Sequence, residues 1–152
     1  MSILWQYLDK KSAAISALKD YSSMQHIIDH TNEEIDNVRG QMEGIQSPNY
    51  DGMPKSYNPQ SGEERMINAI EEIDVMKERY RQALEYMEWF KPAWDALSED
   101  ERFVLEAFYT GDEDFGSGVV YTVCQHFGIE RSSAYNKKNR AVQHLALLLY
   151  GK

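Results

Sequence analysis

Tyr7, Ala14, Tyr21, Ile28, Ile35 and Met42 recur every seven residues, and Ala17, Met24, Thr31, Val38 and Ile45 follow the last five of them by three. Alternating three- and four-residue spacing places apolar side chains along one narrow seam of a helix. The pattern predicts a single amphipathic helix from Ile3 to about Ile45. A stripe of this kind is stable only against another helix. Thr31 and the alanines thin the seam, which favours a helical hairpin over a long free zipper.

The next segment supplies the turn of that hairpin. Residues 46–62, QSPNYDGMPKSYNPQSG, hold Pro48, Pro54, Pro59, Gly52 and Gly62. Proline removes a backbone donor and disfavours helix at the residue before it, so this stretch is expected to be a connection. Ser61 with Glu64 has the spacing of a capping box, which predicts a second helix opening at Ser61. Its apolar stripe is Met66, Ile70, Ile73, Tyr80, Leu84 and Met87, with Ala69, Met76, Ala83 and Phe90 beside it. Pro92 is expected to end or kink it, with Trp89 and Trp94 packing around that point. Ser98 with Glu101 is a second capping box, ahead of a short helix with Phe103, Val104, Ala107 and Phe108 turned inward and Gly111 as its stop. Two-residue alternation never persists, so no strand is expected. The fold class expected is all-α, with a hairpin over 1–92 and a helix-turn-helix over 93–152.

Charge is distributed unevenly over these parts. Residues 1–118 carry 11 Lys and Arg against 24 Asp and Glu, whereas residues 119–152 carry five against one, so the two stretches stand at −13 and +4. The overall −9 conceals a basic C-terminal segment suited to an anionic partner. The single cysteine, Cys124, excludes an intramolecular disulfide framework and fits a reducing compartment. The first residues, MSILWQYLDKK, are too short an apolar run for a membrane span, so a cytoplasmic location without membrane contact is expected.

The basic segment reads as a helix, a tight turn and a second helix. A first helix over about Val119 to Phe127 turns Val120, Val123, Cys124 and Phe127 inward, Cys124 being small where two helices cross. Gly128 supplies a left-handed turn residue and Ile129 plugs the corner. Ser132 or Ser133 is expected to cap the second helix, which continues through Ala134, Lys138, Ala141, Val142 and Leu145. A helix that reads duplex DNA needs side chains for base edges in its first turns and cations for phosphates beyond. Arg131, Ser132, Ser133, Tyr135 and Asn136 suit the first role, and Lys137, Lys138, Asn139 and Arg140 the second. A solvated basic helix with no nucleic-acid role has the same composition, and the pattern alone leaves both readings open.

LSEDERFVLEAFY followed, after a loop, by VCQHFGIERSSAYNKKNRAVQHL resembles region 4 of sigma-70-type factors over residues 97–145. Together with the upstream long helix, SPNYDGMP loop and acidic second helix, the chain resembles the ArpU-type late transcriptional regulators of Gram-positive phages and prophages. The resemblance implies a DNA-binding regulator of transcription, with RNA polymerase as a candidate partner. Ala134 stands where that family has a branched apolar residue, which implies looser packing of the recognition helix. No segment resembles the sigma region that melts promoters, which implies an accessory regulator.

Other signals read blandly. His26 and His30 lie one turn apart without a third ligand, and Asp112, Glu113 and Asp114 lack the alternation of a calcium loop, so no metal or cofactor is expected. No nucleophile–base pair or phosphate loop occurs, which points away from enzymes. Leu145, Leu147, Leu148, Leu149 and Tyr150 need cover, and a homodimer is expected through them or the hairpin. Two other functional readings stand beside the DNA-binding regulator: a coiled-coil assembly protein, and a small terminase-like DNA-packaging subunit.

Overall fold

The computed structural model describes residues 7–46, 59–110 and 116–151. Five helices follow in order: α1 (Lys10–Gln46), α2 (Pro59–Ala96), α3 (Glu99–Tyr109), α4 (Gly116–Phe127) and α5 (Arg131–Tyr150). No strand occurs among the described residues, and the protein is all-α.

Helix α1 begins later than its periodicity suggests. Asp9 accepts from the Ser12 backbone N–H at 3.3 Å and from the Ser12 hydroxyl at 2.8 Å. That is an N-cap, so the helix starts at Lys10, and Tyr7 lies outside it, 80% exposed. Along the remaining seam Ala14, Ala17, Thr31, Ile35 and Val38 are buried and Tyr21, Met24, Ile28 and Met42 half-buried; the side chain of Ile45 lies outside the described residues. The Thr31 hydroxyl donates back to the Ile27 carbonyl, so a polar residue is buried without an orphaned group.

Helix α2 differs from expectation at both ends. It starts at Pro59, where a missing N–H costs nothing, so Ser61 lies inside the helix and is not its cap. The connection is therefore shorter than 46–62, and residues 47–58 lie outside the described residues. At the other end the helix continues through Pro92 to Ala96. Proline removes only the bond to the Glu88 carbonyl, and Glu88 and Pro92 are both exposed residues, where water can take the place of that bond. Ile73, Ala83 and Phe90 of the stripe are buried, whereas Ile70 and Leu84 are 48% and 41% exposed. A single neighbouring helix covers a narrow arc, and those two fall on its flank.

The Ser98–Glu101 capping box is complete: Glu101 N–H donates to Ser98 Oγ, and Ser98 N–H donates to Glu101 Oε1, both at 3.2 Å. α3 ends at Thr110, whose N–H and hydroxyl both reach the Glu106 carbonyl; the expected stop Gly111 lies outside the described residues.

The chain divides into two compact units, Ser23–Tyr86 and the remainder, Met1–Ser22 with Met87–Lys152. In the first, Ile35 and Val38 of α1 share a core with Ile73 of α2, flanked by Met42, Ala69 and Met76. In the second, α3, α4 and α5 pack on one another. Val104, Val120, Val123 and Ala134 form their common core, with Phe103, Ala107, Phe108, Cys124, Phe127 and Ile129 packed around it. Phe90 is fully buried, 5.6 Å from the ring of Tyr21 and stacked at 6.0 Å on Trp94. Trp89 Nε1 donates to the Leu149 carbonyl at 3.4 Å, and its ring lies 5.6 Å from that of Tyr150.

Candidate nucleic-acid interface

The turn between α4 and α5 is set by three residues. Gly128 has φ +63°, the left-handed conformation, and the Ile129 N–H donates to the Cys124 carbonyl at 3.1 Å. A bond spanning six residues around a left-handed glycine is a Schellman motif, which satisfies a helix-end carbonyl and normally brings an apolar contact with it. Here that contact is provided by Cys124 and Ile129, which join the same core. Both assignments made from sequence hold: Gly128 turns the chain and Ile129 fills the corner.

The cap of α5 differs. Helix α5 starts at Arg131 with Glu130 as N-cap, extended at φ −78° and ψ 162°, and no side chain caps it. Neither Ser132 nor Ser133 takes that role. Ile129 is held in the corner and Glu130 is the extended residue after it, so the serines already lie at the second and third helical positions. The Glu130 carbonyl accepts the first intrahelical bond, from the Ala134 N–H at 3.0 Å. The N–H groups of Arg131, Ser132 and Ser133 have no acceptor within the helix. Helix α4 itself opens at Gly116, three residues before Val119.

Ala134 is fully buried. It belongs to one core with Val104, Val120 and Val123.

The structure sorts the remaining candidates by helix face rather than by order along the chain. Arg131, Ser132, Asn136, Asn139 and Arg140 are exposed, whereas Ser133, Tyr135, Lys137 and Lys138 are half-buried. Tyr135 packs on the core with its ring 5.9 Å from that of Phe108. Lys137 Nζ lies 4.5 Å above the Phe127 ring. Lys138 Nζ lies 5.3 Å from the Phe108 ring and 5.2 Å from the Tyr135 ring. Both lysines place their ammonium groups over aromatic rings of the core, an arrangement that favours the charged form. Gln143, also exposed, continues the stripe of Ser132, Asn136 and Asn139 and was not singled out from sequence. Its position four residues beyond Asn139 is the signal that marks it.

Two grooves flank this face. One, of about 330 Å³, lies between the start of α3 and the second and third turns of α5, with Asp100 and Glu101 facing Lys137 and Arg140. Glu101 is already engaged, since Oε2 lies 2.6 Å from His144 Nδ1 while Oε1 closes the capping box. Partial burial pushes its carboxyl up, but the hydrogen bonds from His144 and Ser98 outweigh this and hold it below the usual carboxylate range. The other groove, of about 270 Å³, joins Val120, Tyr121 and Cys124 of α4 to Arg131. Tyr121 is 64% exposed, and its hydroxyl accepts from Gln125 Nε2 at 2.6 Å. Neither residue stood out in the sequence, because Tyr121 falls inside an apolar run.

Among the described residues no cluster of three or more His, Cys, Asp or Glu side chains could hold a metal, and no helix is long and apolar enough to cross a membrane. His26 and His30 are neighbours, ring centroids 4.3 Å apart, without a third ligand among the described residues. No protein-family model matches this chain, and no curated protein or solved structure is similar to it.

Proposed function

We propose that the protein binds duplex DNA by laying α5 in the major groove, and that it serves as a transcriptional regulator of the sigma-70 region 4-like kind. The observation that carries this reading is the composition of α5's outward face. In a chain of net charge −9, the twenty residues of α5 contain no acid, and their exposed stripe presents Arg140, two asparagines, a glutamine and a serine, with Arg131 exposed at the helix start. A helix about 10–12 Å across fits a major groove about 12 Å wide. Asparagine and glutamine amides pair bidentately with adenine, and arginine with guanine. The uncapped N–H groups of the first turn and its helix dipole favour a phosphate. Arg131, Arg140 and the ring-supported Lys137 and Lys138 supply the remaining charge. The exposed Leu147 and Leu148 near the far end of α5 support a homodimer, in which two such helices would meet the duplex about 34 Å apart.

Fluorescence polarisation with labelled duplexes across a salt series tests this. Four phosphate contacts give a slope of log affinity against log salt of about −3 to −4. Absence of binding at low salt, or a signal independent of salt, would remove the reading and leave an interaction protein whose basic helix is merely solvated.

A further inference from the structure

We infer that the outer face of α2 within Ser23–Tyr86 is a docking surface for a basic, amphipathic helix of another protein. Ile67 and Ile70 are 54% and 48% exposed there, beside Ala69, Ile73 and Met76, which pack in the core shared with α1. Large aliphatic side chains left half in water one turn apart form a patch rather than isolated exposures. Glu71, Asp74, Glu78 and Glu85 share their face, since all fall within roughly 100° of arc around the helix. Of the two exposed cations beside them, Lys77 and Arg81, the second is already neutralised: its guanidinium reaches Glu78 at 2.8 Å and Glu85 at 3.0 Å. The patch is therefore apolar at its centre and anionic along its length.

That charge selects the occupant. A second copy of this unit would bring the same acids face to face, and like charges across an interface are unfavourable. The residues of Ser23–Tyr86 comprise 13 Asp and Glu against six Lys and Arg. Nucleic acid is repelled for the same reason. A helix carrying Leu or Ile at every third or fourth position, with Lys or Arg beside them, satisfies both the isoleucines and the carboxylates. The surface is independent of α5 and of the DNA-binding reading.

The probe is a fluorescein-labelled peptide of 18 residues, built of leucine and lysine with leucines at helical spacing, alongside a scrambled isomer of identical composition. The full chain should bind the amphipathic peptide at least tenfold more tightly than the isomer, with affinity falling as salt rises. Ile67→Gln with Ile70→Gln should weaken it about tenfold, as expected for losing this much buried apolar area. Both sites are exposed, so helicity by circular dichroism should be unchanged. Asp74→Asn with Glu78→Gln should weaken binding, whereas Asp29→Asn with Glu33→Gln on α1, an equal change of charge, should not. Equal binding of the two peptides, indifference to the isoleucine changes, or an equal loss from the α1 pair would overturn the proposal. So would a dimer in sedimentation that Ile67→Gln dissociates, because the occupant would then be a second copy.

Discussion

Gly40 and Gly128 offer a test in which one chemical change should have opposite signs. A Cβ built at either position meets no atom within 4 Å, so replacement by alanine creates no steric conflict at either site. What differs is the backbone. Gly128 has φ +63°, where an L-residue costs about 1–2 kcal/mol, only partly offset by the stiffer unfolded chain. Gly40 lies inside α1 with an ordinary helical backbone, where alanine is better than glycine by about 0.5–1 kcal/mol. Urea denaturation followed by circular dichroism should give a net loss of about 1 kcal/mol for Gly128→Ala and a gain for Gly40→Ala. Gly128→Asn should lose less than Gly128→Ala, because asparagine tolerates the left-handed region. Replacing Gly128 by D-alanine through chemical ligation should stabilise. If Gly128→Ala is neutral or stabilising, the turn does not depend on a left-handed residue, and the α4–α5 geometry derived from it is wrong.

Glu101 gives a pH dependence of known sign. Its folded carboxyl sits below its ordinary value of 4.5, so the stability it adds is complete above that value and is lost as pH falls through the lower folded value. Glu101→Gln should cost about 1 kcal/mol near neutrality, discounted for the partial exposure of the pair, and should flatten the urea midpoint below pH 4.5. Leu105→Ala, at a fully buried position of α3, should cost about 2–5 kcal/mol by calorimetry or urea titration; a loss under 1 kcal/mol would mean that the site is not packed as described. Arg140→Ala should make the salt slope of duplex binding shallower by about 0.9 if it contacts a phosphate, and leave it unchanged if it does not. Asn136→Ala should reduce discrimination among duplexes more than it reduces affinity for mixed sequence, with an equal loss on all sequences assigning it to the backbone.

The elements with strong local causes were legible. Ser98 and Glu101 marked the start of α3, Gly128 the turn, and the heptad residues from Ala14 to Val38 the covered side of α1. What escaped depended on tertiary context. Three polar residues, Glu130, Ser132 and Ser133, stand near the start of α5, and the choice among them is made by Ile129, whose seat in the core fixes where the chain leaves the corner. Leu105 escaped because α3 is covered over a wider arc than one stripe. Pro92 was expected to end or kink α2, yet the helix continues through it, the one backbone bond it deletes lying between two exposed residues. Within α5, side-chain chemistry was readable while orientation was not: Tyr135 has a suitable group for DNA, yet the helical phase set by Ala134, Ala141 and Val142 turns it toward Phe108.

The indole of Trp89 acts on the far end of a lever. Helix α5 is pinned at its start by Cys124 and Ile129, and near its end by the bond from Trp89 to the Leu149 carbonyl. Ser132 lies about 25 Å along the axis from Leu149, at 1.5 Å per residue. With the start held, a shift of about 2 Å at Leu149 would therefore tilt the helix by about 5° and carry Gln143 sideways by about 1.4 Å, more than a hydrogen bond tolerates. Trp89 thus acts on the aim of those side chains from the far end of the helix, through the Leu149 backbone.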